Sequence, residues 1–115
     1  MSDFTVEGHI GTKEPGVGAI YTKLMRDLSS FGPVGEDPKK TCIHLAVRTG
    51  FAGVYPRKNY INLEFRTDYP IDNARITKSE QVSKNRYHHT VKLAAPEQVD
   101  TELLSWLHDA YMLSV

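Results

Sequence analysis

Two histidines stand side by side at positions 88 and 89, within the stretch NRYHHTVKL (residues 85–93). Imidazoles bind metals and carry protons near neutral pH, so a doublet invites a functional reading. The surrounding residues alternate in polarity as in a β-strand, where successive side chains point to opposite faces. His88 then shares a face with Thr90 and Lys92, and His89 with Tyr87, Val91 and Leu93. One ion reaches both only if the strand bulges. The pattern therefore gives His89 a structural place on the packed side and puts His88 on the open side, where a ligand would be met. His9, His44 and His108 lack metal-ligand spacing with a cysteine or carboxylate pair. Neither a metal nor another cofactor is expected.

Three further chemistries deserve weighing. Glu64 shares the outward parity of its strand, so Glu64 and His88 would form an acid/base pair across the open face. The competing reading is solvated polar groups on a sheet. Cys42 is the only thiol, and a lone cysteine in a strand is more often a small packed side chain than a nucleophile. GVGAI lies where a helix begins but follows no strand and lacks the lysine of a phosphate loop. The strongest signal is a collection rather than a motif: Tyr55, Arg57, Lys58, Tyr60, Arg66, Arg86 and His88 form the candidate ligand-binding set, with Arg48 and Lys92 beside them. Cations neutralise phosphates while aromatic rings stack on bases. Glu64 and Asp68 fall in the same region, and charged rows on a sheet also serve to prevent edge pairing.

The elements that hold these residues follow from periodicity. Residues 1–13 mix glycine, charge and scattered apolar groups, which suggests a flexible leader or a short extra strand ahead of a single domain at 14–115. Ile20, Tyr21, Leu24, Leu28 and Phe31 recur at helical spacing, predicting a helix over 15–31 between Pro15 and Gly32-Pro33. GPVGEDPKK is turn-rich, and TCIHLAVRTG alternates as a half-buried strand. FAGVYP and NYINLEFRTD flank a basic turn around Pro56 and Asn59, which fits a hairpin. ARITKSEQV reads as a weak strand anchored by Ile76, and Tyr87 to Leu93 as the last one. Val99 and Leu104 flank Asp100 as a hydrophobic staple around an N-cap, opening a helix over 100–113. Strands with one apolar face and amphipathic helices at both ends are met by an α+β two-layer sandwich. Its antiparallel sheet would have four to five strands, with the N- and C-terminal helices on one face. Trp106 is expected at the edge of that core.

Bulk properties narrow the partners. The chain has 115 residues, enough for one core without staples. Lys and Arg number 14, as do Asp and Glu, so no global field draws the protein onto nucleic acid or membrane, and any such contact must use a local patch. The single cysteine excludes an internal disulfide, no apolar window approaches a membrane span, and the start MSDFTVEGHIG lacks a basic, apolar leader. A cytoplasmic protein without membrane contact is expected.

The runs KKTCIHLAVRTGFAGVYPRKNYINLEF and SKNRYHHTVKLAAPEQVDTELLSWLHDAY resemble the bacterial domain-of-unknown-function family 5655. That family shares an "FA-x-V-x-PRK-x-(aromatic)" hairpin and a last strand of "Y-x-H-x-V-x-L" type before a helix ending in "AY". The likeness covers residues 15 to 113 and implies a fold but no activity. More distantly, the last strand and helix are similar to the MmcQ/YjbR double-wing proteins, whose CyaY-like fold implies a two-layer α/β sheet and, from its shape, DNA binding. The combined expectation is a small non-enzymatic binding domain for nucleic acid or a phosphorylated ligand, using the open face and the basic hairpin turn. The alternatives are a protein-interaction module or homodimer using the open face or a sheet edge, and an enzyme using Glu64 and His88.

Overall fold

Proline fixes φ near the helical value and has no N–H to leave unpaired, so Pro15 opens a helix naturally. In the computed structural model, which describes residues 4–115, that helix is α2 (Pro15–Leu28). Val17, Ile20, Tyr21, Leu24 and Leu28 form its buried stripe. It ends three residues before the expected residue 31. The Ser29 and Ser30 hydroxyls donate back to the carbonyls of Arg26 and Asp27 (2.6 and 2.7 Å), and Gly32 then turns the chain at φ 143°. Phe31 still packs at the core margin. A preceding helix, α1 (Val6–Ile10), is capped by the Thr5 hydroxyl, which accepts from the Gly8 N–H at 2.8 Å. It stands where the residue pattern suggests a leader or a short strand, and its Val6 and Ile10 pack against the core. Residues 1–3 of that leader lie outside the described residues.

Six antiparallel strands follow: β1 (Gly35–Pro38), β2 (Ile43–Ala46), β3 (Gly50–Pro56), β4 (Ile61–Thr67), β5 (Ile76–Ser83) and β6 (Arg86–Leu93). The expectation of four to five strands is corrected by β1, hidden in the turn-rich GPVGEDPKK. Its first three residues are exposed, so it carries no apolar alternation, and Pro38 is tolerated because β1 is an edge. The order is β1-β2-β3-β4-β6-β5. β6 is therefore inserted between β4 and β5, unlike a simple meander. His44 on β2 lies three strand spacings from β6, on the order of 14 Å.

One face of the sheet is apolar by pleat. Ile43 and Leu45, Val54, Ile61, Leu63 and Phe65, and Val91 and Leu93 are buried beneath α2 and α3 (Thr101–Ser114). A bulge between β2 and β3 turns Phe51 to the same side, where its ring meets Tyr111 edge-on at 5.5 Å. Asp100 caps α3 by accepting from the Leu103 N–H (3.0 Å), with Val99 and Leu104 packed on either side. Burial would raise the Asp100 carboxyl, but the Leu103 N–H and the Arg75 guanidinium hold it below its ordinary value. Trp106 is half-buried and stacks on Phe65 at 6.0 Å.

Gly32 joins the two helices. The Tyr111 hydroxyl donates to the Pro33 carbonyl (3.0 Å), and a Cβ on Gly32 would overlap that hydroxyl while also holding a backbone angle that L-residues avoid. Gly32→Ala is expected to destabilise the fold by about 2 kcal/mol or more. Urea unfolding measures it; an unchanged midpoint would show that the turn accommodates a side chain.

Candidate functional site

The register that buries the apolar face also sets the opposite face. Tyr55, Asn62 and Lys92 stand in one row, Gly53, Glu64 and Thr90 in the next, and Arg66, His88 and Glu80 in a third. Gly53 has a specific task there. A Cβ at that position would come within 3.2 Å of Tyr55 Cε1, so the missing side chain leaves a seat for the ring. The Arg57 N–H donates to the Tyr60 carbonyl (2.8 Å) and closes the β3–β4 hairpin, leaving Arg57 and Lys58 exposed. The Lys58 carbonyl accepts from the Glu14 N–H (3.0 Å), tying this turn to the start of α2. Lys92 Nζ lies 4.5 Å from the centre of the Tyr60 ring, a cation–π contact.

The candidate residues thus divide into two groups. Tyr55, Arg57, Lys58 and Tyr60, joined by Lys92, gather at the hairpin end of the sheet. Arg66 and Arg86 lie toward the other end of β4 and β6, on the order of 17 Å along the strand from Ile61. Arg66 Nη1 donates to the Gly50 carbonyl (3.1 Å), and Arg86 Nη1 to the Asn85 carbonyl (2.8 Å). Gly53 was not among the candidates. Its signal is a glycine two residues before an aromatic in an alternating strand, a place where a ring covers the gap.

His88 is half-buried on the open face, with Nδ1 3.5 Å from Glu64 Oε1. That separation exceeds an ordinary hydrogen bond, so the two form a loose, partly exposed pair rather than a locked acid–base couple. Cys42 is buried beside the Tyr55 hydroxyl. Burial pushes its thiol up, Tyr55 offsets this in part, and Glu64 adds to it, so the sulfur stays protonated at neutral pH. Among the described residues, no three His, Cys, Asp or Glu side chains gather as a metal site.

His89 is fully buried and differs from His88 in every partner. The Thr67 hydroxyl spends its proton on the Tyr69 carbonyl (2.6 Å), so it accepts from His89 Nε2 at 2.9 Å. His89 Nδ1 is then the acceptor for the Ser79 hydroxyl (2.7 Å). The neutral Nε2–H tautomer satisfies every partner. Tyr87 and Phe65 flank the ring with centroids 6.3 and 5.5 Å away.

The fold and this face define a small α+β domain with a one-sided antiparallel sheet and a cationic, aromatic hairpin end. The chain belongs to the family described as "Domain of unknown function (DUF5655)", whose model matches residues 6–114. No curated protein and no solved structure matches it. Among the described residues, no helix is long and apolar enough to cross a membrane.

Burial lowers the pKa of His89, the Tyr69 carbonyl opposes this, and His88 adds to it. The folded state therefore holds the neutral ring, while the unfolded chain takes up a proton below about pH 6.5. Stability from His89 is intact above that pH and is lost as acidification proceeds toward the lowered folded value, by at most about 1.4 kcal/mol per pH unit. Unfolding measured from pH 8 to 5 should show a shallower decline in His89→Gln than in the native chain. Parallel curves would contradict the assignment.

Proposed function

We propose that this domain is a non-enzymatic binding module that takes single-stranded nucleic acid across the hairpin end of its open sheet face. The observation that carries the reading is the seating of Tyr55 over Gly53 beside Tyr60, with Arg57, Lys58 and Lys92 around them. Rings on a sheet surface offer stacking platforms for unpaired bases, and exposed cations beside them meet the phosphates between those bases. With a net charge of zero, attraction must come from local patches such as this one. The loose Glu64–His88 pair and the protonated thiol favour recognition over catalysis.

Anisotropy titrations with labelled single- and double-stranded DNA and RNA, repeated over a range of salt, test this. Binding should favour single strands and weaken with salt, and Arg57→Ala with Lys58→Ala should reduce the log–log salt slope by about 1.4. Tyr60→Ala should cost about 1–3 kcal/mol. No binding at low salt, or binding indifferent to these changes, would sink the reading.

A second reading rests on β5. This eight-residue edge strand is exposed along nearly its whole length, with Val82 46% exposed. Two copies paired antiparallel about Ser79 would set Lys78 of each opposite Glu80 of the other, a self-complementary edge. Light scattering at high concentration should then show a dimer that Glu80→Lys weakens. A native chain that stays monomeric would dismiss it.

A further inference from the structure

A small cavity of about 80 Å³ opens where the ends of β3, β4 and β6 meet the last turn of α3. Arg66 and Arg86 line it together with Thr49, and Phe51, Ala110 and Ser114 form part of its wall. Among the described residues, neither guanidinium has a carboxylate partner within ion-pair distance, and their hydrogen bonds to the Gly50 and Asn85 carbonyls occupy one nitrogen of each. Each fork keeps further donors. Ser114 supplies an independent observation: the residue is only 4% exposed, it lines the cavity, and its hydroxyl has no hydrogen-bond partner. Native proteins seldom leave a buried hydroxyl unpaired, and those that do often hold a water or ion against it.

We propose that this cavity binds a tetrahedral oxyanion, a phosphate or the phosphate group of a monoester, through Arg66, Arg86, Thr49 and Ser114. Planar guanidinium forks match phosphate oxygens two at a time, and Phe51 and Ala110 give the cavity an apolar side. The volume leaves room for a compact anion. The C-terminal end of α3 opposes an anion with about half a unit of negative charge. Two guanidinium charges exceed it, and the Ser114 carbonyl is already engaged by the Arg48 N–H (3.0 Å). The site lies away from the hairpin end, so it stands or falls separately from nucleic-acid binding.

Calorimetric titration of the full chain with inorganic phosphate and with phenyl phosphate tests the site. Saturable binding is expected, weakened about tenfold or more in Arg66→Gln and Arg86→Gln and roughly threefold to tenfold in Ser114→Ala. Binding of both ligands, or of phosphate alone, identifies a free-anion site; binding of phenyl phosphate alone identifies a phosphorylated group on a larger ligand. The three variants should keep the oligonucleotide affinity of Arg57- and Lys58-intact protein, which separates this site from the hairpin end. Absence of saturable binding overturns the proposal. So do variants that lower the melting temperature in phosphate-free buffer yet leave phosphate affinity unchanged, since the arginines would then serve only to cap α3.

Discussion

The pairing of β4 with β6 is the constraint on which the remaining structure depends. Seven consecutive pairs, from Ile61 opposite Leu93 to Thr67 opposite Tyr87, lock the two strands in register. A slip of β6 by one residue would turn His89, Val91 and Leu93 toward water, so the apolar face enforces the alignment. The same pairing displaces β5 to the outer edge and requires residues 68–75 to pass from β4 to a strand that is not its neighbour. His89 secures that arrangement from within. Its ring joins Thr67 at the end of β4 to Ser79 on β5, with the Tyr69 carbonyl 3.4 Å from Nε2. A histidine suits this place because its two nitrogens donate on one side and accept on the other.

The open face inherits its order from the buried one. Where the packed face takes Ile61, Leu63 and Phe65, the open face must take Asn62, Glu64 and Arg66. The pleat distributes charge along the strands rather than collecting it, and the cations consequently fall into two ends. At the hairpin end they accompany aromatic rings; at the opposite end they surround a small cavity beneath α3. These are different recognition chemistries. Rings and flexible cations suit an extended strand of nucleotides, whereas paired guanidiniums around a confined space suit a compact anion.

Much of this was legible from alternation and punctuation. Pro15, the stripe from Ile20 to Leu28, and Asp100 before Leu103 mark two helices because capping and burial are local, and the opposite orientations of His88 and His89 follow from pleat alone. β1 was not legible, since an exposed four-residue edge ending in proline bears no apolar period. Strand order was also hidden: nothing local in DYPIDNA says that the chain will pass over the place taken by β6. The same holds for the sites. That Tyr55 and Tyr60 share a face is a matter of spacing across the hairpin, but the cavity joins the bulge near Phe51 to Ser114, more than sixty positions later in the sequence. Long-range meetings of this kind arise from the packing of α3 on β3 and β4.

The central claim is that the hairpin end of the open face is a binding surface. A titration of the isotopically labelled chain with a short single-stranded oligonucleotide, followed by amide resonances, addresses it residue by residue. Tyr55, Arg57, Lys58, Tyr60, Asn62 and Lys92 should shift together and saturate at one concentration, while the buried stripes of α2 and α3 stay in place. Shifts confined to β5 or to the helices, or a spectrum unchanged at low salt, would contradict the account.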